Sequence, residues 1–99
     1  MRTNVTARHC EIPDALKQRA EELVVKVAKK GHRPQRAEVV FDADHGRKVV
    51  ELHLHFPRGR VNIASGEADD FRSALDQAVD RLRNQLDKTG RRNKRRQSV

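Results

Sequence analysis

The chain has 99 residues, room for one domain with a modest core. Its three Phe, with no Trp or Tyr, leave few aromatic platforms for stacking bases, its single cysteine (Cys10) excludes an internal disulfide or a Cys-pair zinc site, and no apolar run approaches the ~20 residues of a membrane span. The net charge is +8, and residues 89–99 hold five Lys/Arg and no acid, leaving 17 basic and 14 acidic residues in the first 88.

In chain order, residues 2–8 (RTNVTAR) read as a short strand with Thr3, Val5 and Ala7 on one face. The N-terminus, MRTNVTARHC, has no apolar stretch of the signal-peptide kind, and a cytoplasmic setting is expected. Pro13 fits the first turn of a helix, and Asp14 suits its positive end. Leu16, Ala20, Leu23, Val24 and Val27 then fall on one helical stripe, with Gly31 as the stop and Pro34 confirming the break.

Residues 36–43 read as a second strand with Ala37, Val39 and Phe41 on one face. Asp44, His45 and Gly46 make a turn. Residues 47–56 alternate, with Val50, Leu52, Leu54 and Phe56 on one face and Val49, Glu51, His53 and His55 on the other. After a hairpin-like turn at Pro57-Arg58-Gly59, residues 60–65 read as a last short strand with Val61 and Ile63 inward. Asp69 and Asp70 open a second helix whose stripe is Phe71, Leu75, Ala78, Val79, Leu82 and Leu86, and Gly90 stops it. The expected fold is α+β, in the order β-α-β-β-β-α: a four-stranded sheet with both helices on one face, like a double-stranded-RNA-binding domain. One domain is expected over residues 1–88, with a basic, flexible tail over 89–99.

On a wheel of the second helix, Arg81, Lys88 and, where the helix extends, Arg92 share a flank with Gln77, Asn84 and Gln85. Asp76, Asp80 and Asp87 take the back, and Arg72 and Arg83 the other flank. This sorting suits phosphate contact, since each neutralised phosphate releases counterions. The competing reading is an ordinary solvated face, and it is stronger for the first helix, where Lys17, Arg19, Lys26, Lys29 and Lys30 mix with Glu21 and Glu22. Side by side, the two helices would present one surface to a folded RNA. Arg81, Lys88, Arg91, Arg92, Arg83, Lys17 and Lys26 are the candidate RNA-binding residues.

Other chemistry has weaker support. His53 and His55 form an H-x-H pair in line with Glu51, but a fourth convergent ligand is lacking, so neither a metal nor any other cofactor is expected. Cys10 beside His9 lacks an orienting third group. The reading is of a non-catalytic protein with neither a small-molecule substrate nor a membrane partner. A generic structured-RNA module, a small metal-dependent enzyme at His53, His55 and Glu51, and a protein adaptor using the open sheet face remain alternatives.

The stretch ASGEADDFRSALD (64–76), followed by VDRLRNQLDK (79–88), resembles the ribosome hibernation-promoting factors and ribosome-associated translation inhibitors, also called sigma-54 modulation proteins. The opening EIPDALK (11–17) is similar to that family's approach to its first helix, and the likeness extends over residues 2–92 in order and spacing. The resemblance implies the same β-α-β-β-β-α fold. It also implies a monomer that binds ribosomal RNA of the small subunit in the messenger and transfer RNA channel, and silences or protects idle ribosomes. Arg81, Lys88 and Arg92 match basic second-helix positions of the family, and Lys17 and Lys26 match basic positions of the first helix. The chain resembles the family's short form, with Arg72 where many members have tyrosine and Asn84 at a commonly basic position.

Overall fold

Among the described residues four strands and two α-helices follow one another: β1 (Arg2–Arg8), α1 (Asp14–Ala28), β2 (Arg36–Asp44), β3 (Arg47–His55), β4 (Val61–Ala68) and α2 (Phe71–Ser98), with a single 3-10 turn at Pro57–Gly59 between β3 and β4. They are seen in a computed structural model that describes residues 1–29 and 33–98, with side chains through residue 87. The β-α-β-β-β-α order and the four-stranded sheet are those expected. The sheet order is β1-β2-β3-β4, with β1 parallel to β2 and the other neighbours antiparallel. No helix among the described residues is long and apolar enough to cross a membrane.

Alternation decides which sheet face is covered. Ala37, Val39 and Phe41 of β2 and Val50, Leu52 and Leu54 of β3 are all buried against the helices. α1 adds Ala20, Val24, Val27 and Ala28, with Leu16 and Leu23 packed at the margin. α2 adds Ala74, Leu75, Ala78, Val79, Leu82 and Leu86. The Phe71 ring meets Phe41 edge-on, centroids 5.7 Å apart, which pins the start of α2 to the sheet.

β4 corrects the sequence reading. It is longer than expected and turned over: Val61 and Ile63 are exposed, and Ala64 and Gly66 face inward. The expectation assumed that the bulky apolar residues of an alternating strand point at the core. Here the inward positions lie under α2, and the space is set by the helix backbone. A Cβ built on Gly66 would lie 2.2 Å from the Ala74 carbonyl oxygen and 2.8 Å from the Ala78 nitrogen. Only small residues permit that approach, so the larger ones take the open face.

The helix ends hold two smaller differences. Pro13 sits at the N-cap of α1, one residue before the first turn, and Lys29 is the C-cap. Gly31, the expected stop, lies outside the described residues. α2 runs through Gly90 to Ser98. A glycine inside a helix costs about 1 kcal/mol relative to alanine, and the neighbouring Lys, Arg and Gln are good helix formers, so a single glycine does not end it.

Asp70 caps α2. Its Oδ1 accepts the Ser73 backbone N–H at 2.7 Å, and its Oδ2 accepts the Ser73 hydroxyl at 2.9 Å. The hydrogen bonds from Ser73 hold the Asp70 carboxyl below its ordinary value. A depressed carboxylate contributes stability above its unfolded pKa and loses it as pH falls through its folded one. Asp70→Ala should therefore lower the melting midpoint at neutral pH. The gap to the parent should close on acidification below the ordinary aspartate range, as followed by circular dichroism. A gap that stays constant with pH would count against the cap.

Candidate nucleic-acid interface

α1 and α2 lie on the same face of the sheet, and the Arg19 guanidinium donates to Asp76 Oδ1 at 3.3 Å between them. Their outer faces thus form one surface, as the sequence reading required. On α1, Lys26 and Lys29 are exposed and Lys17 is half-buried. Among the described residues none of the three has an acid within ion-pair distance. Glu21, Glu22, Val25, Lys26 and Lys29 line an open groove along the outer side of this helix, so the face is mixed in sign.

The basic and amide flank of α2 does something the wheel did not show. The Arg81 guanidinium donates to the Ser65 carbonyl at 2.7 Å. Gln85 Nε2 donates to the Ile63 carbonyl at 2.8 Å, and the Glu67 N–H donates to Gln77 Oε1 at 3.2 Å. Asn62 adds a longer bond, from Nδ2 to Gln85 Oε1 at 3.4 Å. Ile63, Ser65 and Glu67 are alternate residues whose main-chain groups face away from β3. Gln77, Arg81 and Gln85, four residues apart on α2, therefore close the outer edge of β4. Arg81 is exposed and has donors to spare after this bond, so an anion can still reach it. Arg83 donates to Asp80 Oδ1 at 3.2 Å on its own helix. The side chains of Lys88, Arg91 and Arg92 lie outside the described residues.

Chain reversal gathers further cations that the sequence reading did not group. The starts of β1, β2 and β4 and the ends of β3 and α1 share one end of the sheet. Main-chain bonds tie this end together: Arg2 N–H to the Gln35 carbonyl at 3.3 Å, Gln35 N–H to the His55 carbonyl at 2.7 Å, and Phe56 N–H to the Arg60 carbonyl at 2.8 Å. Arg2, Lys29, Arg33, Arg58 and Arg60 are all exposed there, and none has an ion-pair partner among the described residues. Asp42, Asp44, Glu67, Asp69 and Asp70 sit at the opposite end, where Arg47 is held by Glu67 at 3.1 Å and Asp69 at 2.8 Å. These two acids raise the Arg47 pKa. The only signal in the sequence was local, two arginines flanking Gly59, and their distance from the helices along the chain concealed it.

The open sheet face carries His53 with Glu51 at 3.0 Å, and His55 at 3.4 Å from Glu38 without a hydrogen bond. Among the described residues no three His, Cys, Asp or Glu converge as metal ligands do. The His9 imidazole turns away from Cys10 to Asp42, 3.1 Å away, and that hydrogen bond lowers the Asp42 pKa. The Cys10 thiol donates to the Phe41 carbonyl at 3.6 Å, and burial raises its pKa, which suppresses the thiolate a nucleophile needs.

A family model described as sigma 54 modulation protein / S30EA ribosomal protein matches residues 3–94. The ribosome hibernation promoting factor of Azotobacter vinelandii is 26% identical over 86 residues, spanning 87% of this chain and 79% of that protein. Among solved structures, the N-terminal domain of Thermus thermophilus Protein Y aligns with a TM-score of 0.75 at 25% identity, covering 90% of this chain and 99% of that one. A ribosomal subunit interface protein from Coxiella burnetii aligns at 0.72 and 23% identity, over 91% and 98% of the two chains, a likeness of fold.

Proposed function

This chain belongs to the sigma 54 modulation protein / S30EA ribosomal protein family, and from that premise we propose that it binds ribosomal RNA of the small subunit in the messenger and transfer RNA channel, silencing or protecting idle ribosomes. The observation that carries the reading is the joint outer surface of α1 and α2, with Lys17 and Lys26 on one helix, which have no acid partner among the described residues, and Arg81, bound to the Ser65 carbonyl with donors to spare, on the other. A surface of this kind reads the phosphates of folded RNA by shape and charge. The protein acts by occupancy, as a monomer in the cytoplasm, and not by catalysis. In this reading Arg83 and the residues Lys88, Arg91 and Arg92, which follow in the sequence of α2, are assigned to the RNA contact as well.

In a sucrose gradient of cell extract, the protein should travel with small subunits or whole ribosomes and be released as salt rises. In competition, small subunits should displace it from isolated RNA duplex at concentrations where duplex does not displace it from subunits. Equal displacement in both directions would reduce the protein to a generic structured-RNA module.

A further inference from the structure

We propose that the β3–β4 turn is a second RNA-binding site, in which Arg60 stacks against an unpaired base and Arg58 meets an adjacent phosphate. The inference rests on the reading of the chain as an RNA-binding protein and adds a site outside the two helix faces.

Three observations carry it. First, the Arg60 guanidinium lies over the ring of the buried Phe56, 4.3 Å from its centroid. The guanidinium is thus held against the ring while Arg60 as a residue stays exposed to solvent. Unpaired bases stack on guanidinium planes, so the platform needs no exposed aromatic. Second, Phe56, Pro57, Arg58 and Arg60 line an open cleft, and among the described residues neither arginine has an acid partner. The acid of the open sheet face nearest this end, Glu38, is engaged by Arg36 at 3.5 Å. Third, Arg58 has φ 70° and ψ 23°, and Gly59 after it has φ 80°. Left-handed backbone is usually given to Gly, Asn or Asp, and here an arginine takes it in the three-residue turn Pro57–Gly59. The same pairing of a left-handed side-chain residue with glycine occurs at His45–Gly46, so the conformation itself assigns no role; what it does at Arg58 is set a long cation at the tip of the turn.

The test uses the full chain with two probes: small ribosomal subunits, and an RNA hairpin with one 2-aminopurine in its loop. Arg58→Asn should melt no lower than the parent, because Asn suits the left-handed conformation. It should nevertheless reduce the slope of log K against log salt by about 1 for the hairpin. Arg60→Lys keeps the charge and loses the plane, so the salt slope should hold while the 2-aminopurine quenching disappears. If both variants match the parent in quenching and slope on both probes, the turn is not an RNA site, and the helix-face reading is untouched. If the parent binds the hairpin through the turn but does not bind subunits, the turn site stands and the ribosomal reading falls. A parent that neither binds nor quenches the hairpin also overturns the site.

Discussion

Gly66→Ala should destabilise the protein by about 3 kcal/mol or more, out of the 5–15 kcal/mol typical of a domain. The added methyl would lie 2.2 Å from the Ala74 carbonyl oxygen and 2.8 Å from both the Ala78 nitrogen and the Gln77 Cβ. Two of those three atoms are helix backbone, so no flexible chain end can swing aside. Either α2 lifts off β4 or the strand bends. Lifting the helix would also break the bonds from Arg81 and Gln85 to the edge of β4, and would withdraw Leu75, Ala78 and Leu82 from the sheet. The melting midpoint should fall by more than about 12 °C for a domain of this size. Circular dichroism is the appropriate readout, because the chain has no Trp or Tyr. The neighbouring exposed substitution Ser65→Ala should change stability by less than about 0.5 kcal/mol. A Gly66→Ala protein as stable as the Ser65→Ala control would show that α2 does not sit on the strand this closely.

Charge reversal at Arg81 and Lys88 together should weaken binding to small subunits by tenfold or more at moderate salt. It should also reduce the salt slope by about 2, one for each lost phosphate contact. Arg81 has a structural task as well, so its contribution has to be separated. Arg81→Gln removes the charge-assisted bond to the Ser65 carbonyl and should cost about 1 kcal/mol of stability. Lys88→Glu alone should weaken binding with little change in melting. A double variant that is folded and binds subunits like the parent would remove both residues from the interface. A loss of binding that tracks melting across the series would mean that Arg81 matters only as a clasp on β4.

Much of the fold was legible in the sequence because its strongest patterns are unambiguous. The stripe from Leu16 to Val27 has no strand alternative, and the alternation from Val49 to Phe56 has no helical one. β4 was misread because its inward face is written in Ala64 and Gly66. Small residues carry no hydrophobic signal, while Val61 and Ile63, which do, face outward. Gly66 stood inside the stretch that carried the family resemblance, yet its packing role appears only when α2 is laid across it. The candidate surface was legible in part. The helical wheel found Gln77, Arg81 and Gln85 on one flank but could not know that a strand edge would lie beneath them. The cations at residues 2, 29, 33, 58 and 60 could not be grouped from sequence, because four chain reversals bring them together.

The clasp of α2 on β4 also limits how the protein can polymerise. A sheet that grows by edge-to-edge addition needs two open edges per molecule, one to receive a neighbour and one to pass the growth on. Gln77, Arg81 and Gln85 lie along the β4 edge and engage the Glu67 N–H and the Ser65 and Ile63 carbonyls, so a strand can add there only by displacing α2, whereas β1, paired only to β2, is the other edge. Two copies joined through β1 would present only edges covered by α2. Association by this route therefore ends at a pair and cannot extend into a fibre while α2 stays seated.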